Sequence, residues 1–224
     1  FLAMSSMGTY GIVMAGFSSN NKYSLMGGLR SSAQMISYEL TLGIAALAVV
    51  IMAGSLNLAE IVNQQGNIGG WNIWYQPFTF LLFFVAGIAE TNRAPFDMAE
   101  GESEIVAGFH VEYAGMSFAI FFLAEYANMI LMSAITVLLF LGGWLVPFGL
   151  DWAILSWVPG PIWFIAKVCF VLFFFVWSRA TLPRFRYDQL MKLGWKVFLP
   201  FSLFYIIFVA GLLMWTGNLP GMEG

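Results

Sequence analysis

The chain is predicted to be an all-α, polytopic transmembrane helix bundle, on three observations. Its 224 residues are 60% hydrophobic and 9% charged, with a mean hydropathy of +0.82, where a soluble domain carries about 25% charged residues. Several long intervals between charges are apolar, and a helix needs about 20 such residues to cross a hydrocarbon core of roughly 30 Å. These runs are continuous instead of alternating at period two, which favours helices over a β-barrel. Residues 1–224 therefore read as a single membrane domain with about six transmembrane helices.

The spans follow from the gaps between charges. Residues 1–17 are the tail of one span, entered in midstream at Phe1. With no initiator methionine, basic leader or cleavage pattern there, the chain is expected to be a fragment of a longer one. Residues 40–59 lie between Glu39 and Glu60, and 71–89 occupy the next free interval. Residues 114–145 allow a tilted span, 160–178 contain one lysine, and 197–215 close the set. Every basic residue except Lys167 falls in alternate connections: Lys22 and Arg30, then Arg93, then Arg179, Arg184, Arg186, Lys192 and Lys196. Those connections are assigned to the cytoplasm. Trp71, Trp74, Tyr75, Trp144, Trp152, Trp157 and Trp163 sit near the opposite ends, where amphipathic rings favour headgroup level.

Composition also limits the chemistry. One cysteine, Cys169, and one histidine, His110, supply no cysteine cluster, disulfide framework or pair of axial ligands. No metal site or nucleophile is assigned, and no basic patch suits nucleic acid. Gly8, Gly11 and Ala15 are spaced for a close helix contact.

Six of the twelve acidic residues, Glu90, Asp97, Glu100, Glu102, Glu104 and Glu112, lie between positions 90 and 112 against one base, Arg93. Residues 90–113 thus form an acidic cytoplasmic loop, opposite to the usual positive bias. If the stretch after Pro95 is helical, Asp97, Glu100 and Glu104 share a face and Glu102 points away. Crowded carboxylates favour proton uptake by one of their number; the alternative is a solvated acidic loop. Glu125 lies about 16 Å into its span, at a depth where charges face a bundle interior or a wet path. Lys167 enters from the other side to about 10 Å and either shares that interior or snorkels to the outer headgroups. Glu39, inside Ser37-Tyr38-Glu39, is either a buried carboxylate or a charge at a helix N-terminus.

These residues resemble a known family. Ala89-Glu90-Thr91-Asn92-Arg93-Ala94-Pro95-Phe96-Asp97, then Glu100-Gly101-Glu102-Ser103-Glu104, Gly108-Phe109-His110 and Glu112-Tyr113, are similar to the cytoplasmic loop of the H subunit of NADH-quinone oxidoreductase, respiratory complex I. Ser18-Ser19-Asn20-Asn21-Lys22-Tyr23, Leu29-Arg30-Ser31, Gln34, Ser37-Tyr38-Glu39, Leu141-Gly142-Gly143-Trp144 and the run from Arg179 to Gln189 resemble its other signatures. The resemblance runs the length of the chain and covers about the C-terminal two-thirds of such a subunit. It implies a helical subunit joining an iron-sulfur arm to a proton-pumping membrane arm and forming part of the chamber for a lipid quinone. Arg93, Asp97, Glu100, Glu102 and Glu104 would belong to the loop beside that chamber. Glu39, Glu112 and Glu125 would belong to a buried proton route, to which the depth of Lys167 adds that residue as a weaker member. The chain itself would bind no cofactor; NADH, FMN and iron-sulfur clusters would lie on partner subunits. The setting implied is the bacterial plasma membrane or, alternatively, the mitochondrial inner membrane.

Two other readings compete. The same module could serve a related hydrogenase or ferredoxin-linked complex, which neighbouring genes would reveal. A stand-alone ion carrier would conduct when the chain is reconstituted alone.

Overall fold

The computed structural model describes residues 5–66, 70–92, 95–97, 113–146, 158–183 and 185–216. Among them every element is helical: α1 (Met7–Ser18), α2 (Lys22–Ala53), α3 (Leu58–Gln64), α4 (Asn72–Tyr75), α5 (Pro77–Glu90), α6 (Met116–Phe140), α7 (Gly160–Thr181), α8 (Tyr187–Leu193), a π-helical turn (Gly194–Phe198) and α9 (Leu199–Thr216). Four stretches are long and apolar enough to cross a membrane: α2, α6, α7 and the continuous run Tyr187–Thr216. The 14-residue α5 is a shorter apolar helix. The chain is an all-α membrane bundle.

Local chemistry sets the ends. Asn21 caps α2, its Oδ1 accepting from the Tyr23 N–H at 3.1 Å. Gly54 stops the same helix in the left-handed region at φ 67°, its N–H donating to Val50 O at 2.8 Å. This is the glycine termination that satisfies a last-turn carbonyl without a Cβ clash. Pro77 occupies the first turn of α5, where its missing N–H has no intrahelical partner to lose. The π turn precedes Pro200, which cannot donate to the carbonyl four residues back; the Leu199 N–H instead reaches Gly194 O, five back.

The 32-residue α2 is the central element. It packs most extensively on α5, then on α1 and α9. Tyr38, Leu42 and Val49 of α2 and Phe83 of α5 are fully buried, together with Met132 and Phe140 of α6. Phe140 lies 5.5 Å from Phe80 and 5.6 Å from Phe83, and Phe84 meets Phe175 of α7 edge-on at 5.1 Å. Large side chains such as Phe204, Ile207 and Phe173 remain exposed on the outer faces, as expected where lipid is the solvent.

Two expectations change. Lys22 and Arg30 lie within α2, and that helix ends at Ala53 instead of running to 59. A charge interrupts an apolar count but not a hydrogen-bond ladder, so Glu39 sits seventeen residues past Lys22, far from any helix N-terminus. The close α1–α2 contact is made at Gly16, next to the buried Ala15, and not at Gly8 or Gly11. An added Cβ at Gly8 or Gly11 would meet nothing within 4 Å, whereas one at Gly16 would stand 2.9 Å from Ser24 O and 3.4 Å from Gly28 Cα. Gly16→Val is therefore expected to lower the thermal unfolding midpoint in detergent, at an overpacking cost of about 1–3 kcal/mol. Gly8→Ala should leave it unchanged; equal midpoints for all three proteins would refute the contact.

Candidate functional site

The end of the bundle that the basic residues mark as inner gathers polar groups from α2, from the end of α5 and from the turn that follows. α5 finishes at Glu90, with the Thr91 N–H bonded to Gly87 O at 3.2 Å and Thr91 Oγ1 donating to Ile88 O at 2.9 Å. Asn92 then adopts φ 49°, a left-handed conformation that Asn tolerates better than most residues. This reversal brings residues 95–97 back against α2. Gln34, fully buried on α2, donates through Nε2 to Ala89 O at 2.7 Å and to Phe96 O at 2.8 Å. One amide thus ties the last turn of α5 to the turn that carries Asp97. Phe96 stacks on Phe185 at 5.6 Å and tilts against Tyr38 at 6.0 Å, while the Phe185 N–H donates to Pro95 O at 3.2 Å.

Glu90 is the most enclosed carboxylate of this region, 4% exposed. Its Oε1 accepts from Ser5 Oγ at 3.2 Å, and its Oε2 has no hydrogen-bond partner among the described residues. The half-buried Glu39 lies near enough for the two carboxylates to interact electrostatically. Sequence reasoning counts Glu90 as a loop acid and misses its burial. The signal available is its position directly after an apolar run, on the last turn of a helix and not beyond it. Beside these groups, the Tyr38 hydroxyl donates to Leu190 O at 3.1 Å and Trp195 Nε1 donates to Ser37 Oγ at 2.9 Å, docking α8 and the π turn onto α2.

The remaining candidates divide. Asp97 is half-buried on the turn held by Gln34. Glu125 is half-buried in the first half of α6. Arg93, Glu100, Glu102, Glu104, Glu112 and His110 lie outside the described residues, as do Trp152 and Trp157. Tyr113, the neighbour of Glu112, packs on the inner end of α1: its hydroxyl donates to Ala15 O at 3.2 Å, lies 2.9 Å from Ser18 Oγ, and its ring meets Phe121 at 5.1 Å.

Lys167 sits in a different place from Glu125. Its Nζ donates to Leu141 O at 2.6 Å and Leu145 O at 2.8 Å and lies 4.7 Å from the Trp71 ring centroid. Leu141 is 16 residues beyond Glu125 (141 minus 125), about 24 Å along the helix at 1.5 Å per residue. The lysine is 8% exposed and its ammonium closes the C-terminal end of α6, where carbonyls lack helical donors. Trp71 is 9% exposed, its ring packed under that ammonium. The Leu141-Gly142-Gly143 segment is shaped around it: Gly142 has φ 68° and Gly143 φ 49°, and a Cβ on Gly142 would stand 3.0 Å from Trp71 Nε1. Gln65 and Asn72 complete this outer network, Gln65 Oε1 accepting from the Gly142 N–H at 3.1 Å and Asn72 Nδ2 donating to Leu139 O at 2.7 Å. Among the described residues no three His, Cys, Asp or Glu side chains come together as a metal site.

Comparison with known proteins bears on this arrangement. A family model described as NADH dehydrogenase matches residues 1–210. The chain is 60% identical over 222 residues to the H subunit of the NADH-quinone oxidoreductase of Rhodospirillum centenum, covering 98% of this chain and 64% of that protein. The H subunit from Paramagnetospirillum magneticum is 56% identical over 218 residues, covering 97% and 62%, and that from Rickettsia rickettsii is 54% identical over 222 residues, covering 99% and 65%. The chain thus spans somewhat less than two-thirds of the length of these relatives. With a family match across nearly all its residues and this level of identity, it belongs to the NADH dehydrogenase family, whose bacterial relatives here are the H subunits of NADH-quinone oxidoreductase.

Proposed function

We propose that the chain is part of the membrane subunit that couples quinone reduction to proton translocation in NADH:quinone oxidoreductase, respiratory complex I. The observation that carries this reading is the buried Glu90 carboxylate, whose Oε2 has no hydrogen-bond partner among the described residues, next to the Asp97 turn fixed by Gln34. A carboxylate in low dielectric, with another nearby, changes its proton occupancy in response to a new charge in its surroundings. Reduction of a lipid quinone at the inner rim creates such a charge and a demand for protons. The acidic segment 90–113, with Arg93, Asp97, Glu100, Glu102 and Glu104, borders the quinone chamber and takes part in that exchange. Glu39, Glu90, Glu112 and Glu125 pass protons into the bundle. Electrons arrive from partner subunits that hold NADH, FMN and iron-sulfur clusters, while other partners form the proton-pumping membrane arm. The bacterial origin of the relatives supports the plasma membrane as the setting.

No side chain in this scheme needs to be a nucleophile or to change oxidation state. Its work is to position, hold and release protons. The test is Glu90→Gln together with Asp97→Asn, Glu100→Gln and Glu104→Gln in the assembled complex, with quinone reduction and proton translocation measured in parallel. Loss of most proton translocation, with slowed quinone reduction, is expected. Full retention of both activities by these variants would overturn the proposal.

A further inference from the structure

Among the described residues, eight buried side-chain polar atoms have no hydrogen-bond partner, and all but Trp163 Nε1 belong to α2, to α5 or to residues flanking α5. The distribution is not confined to the inner rim. Gln76 Nε2 donates to Ala48 O at 3.2 Å and Gln34 Nε2 to Ala89 O at 2.7 Å, which sets α2 and α5 antiparallel in a fixed register. In that register Thr79 lies opposite Ala45, and Thr41 lies opposite Phe83. Thr41 Oγ1, Thr79 Oγ1 and Gln76 Oε1 are all without partners, on side chains that are 0%, 1% and 2% exposed. Counting along α2, these levels, 41, 45 and 48, are separated by about 6 Å and then about 4.5 Å. Between Thr41 and the level of Gln76 the α2 stripe carries the small side chains of Ala45 and Ala48.

A second observation lies at the outer end. A cavity of about 710 Å³ opens between α2, α4 and α9, lined by Gln76 together with Met52, Asn72, Tyr205, Leu212 and other side chains. Gln76 therefore belongs both to the row of partnerless oxygens and to the wall of this cavity. A polar atom in the interior of a membrane bundle is costly to leave unbonded, and a water that bonds two or more such atoms removes that cost. A threonine hydroxyl both donates and accepts, so it can hand a proton from one water to the next.

We infer that water occupies the outer half of the α2–α5 interface, running from Thr41 past Thr79 and Gln76 into the outer cavity, and that this file conducts protons between the bundle centre and the outer face. The inference rests on the coupling function proposed above and gives it an outer connection. Tyr38, fully buried one turn of α2 before Thr41, lies between the level of this file and that of Gln34.

The test uses the assembled complex in proteoliposomes. Thr41→Val with Thr79→Val removes both hydroxyls at nearly constant shape, while Thr41→Ser with Thr79→Ser keeps them. The valine pair is expected to lose most of its proton translocation per quinone reduced, with uncoupled quinone reduction retained, and the serine pair to behave as the parent. Full proton translocation by an assembled valine pair overturns the inference. The parent complex gives an independent readout: an experimental map fine enough to show waters should contain density bridging Thr41, Thr79 and Gln76, and a dry interface there also overturns it. If the acidic-residue variants retain full activity while this density is present, the coupling reading fails and the water file stands.

Discussion

Lys167→Met should lower the thermal unfolding midpoint of the complex, with quinone reduction per assembled complex retained. The side chain reaches Leu141 O at 2.6 Å and Leu145 O at 2.8 Å and covers the Trp71 ring. Hydrogen bonds to a charged group are worth about 1.5–3 kcal/mol each, and a desolvated cation–π contact adds about 2 kcal/mol. Burying an ammonium costs several kcal/mol in return, so the net loss expected on substitution is about 1–4 kcal/mol. Methionine preserves the volume but offers no donor, which leaves two carbonyls unpaired at the end of α6. The same variant tests where this residue acts. If Lys167 carried protons, proton translocation per quinone would fall in complexes that remain folded; if it holds the outer end together, stability falls and that ratio stays. An unchanged midpoint would contradict the structural role.

Gln34→Leu should act at the other end, on both stability and activity. The amide is the shared donor for Ala89 O and Phe96 O, and an unsatisfied buried carbonyl costs about 1–3 kcal/mol. Losing both bonds should release the 95–97 turn from α2 and with it the position of Asp97. The expected results are faster tryptic cleavage after Arg93 and reduced quinone reduction. Parental rates of both cleavage and quinone reduction would show that the turn is held by something other than Gln34. Leucine fills a similar volume, so a large effect cannot be assigned to a cavity.

Much of this architecture is legible in the residues because lipid imposes so strict a composition. Six apolar intervals locate the main apolar helical segments, and the crowding of acids at 90–112 draws attention to the inner rim. Two errors share a cause, which is that charge reads as a boundary. Charge spacing puts Glu39 at the start of a span, yet a helix continues through a charged residue and ends where Gly54 reverses the backbone. The same spacing gives Glu90 to the loop, although it occupies the last turn of α5 and is buried. Depth alone pairs Lys167 with Glu125, and depth says nothing about which way a side chain faces or which carbonyls compete for an ammonium. Residue type places Trp71 near an outer end, and the positive-φ glycines that admit its ring under Lys167 become meaningful only once the two segments are seen together. The row of partnerless oxygens between α2 and α5 depends on register, which no single segment encodes.

The length of α2 has a mechanical meaning. At 1.5 Å per residue its 32 residues make a rod of about 48 Å, well beyond the roughly 30 Å of hydrocarbon it crosses. The rod contains no proline, but Gly27-Gly28 and Ser31-Ser32, pairs of the kind at which helices kink, fall between Lys22 and Glu39. Glu39 and Thr41, two residues apart beyond them, are consequently mounted on one stiff strut and move together.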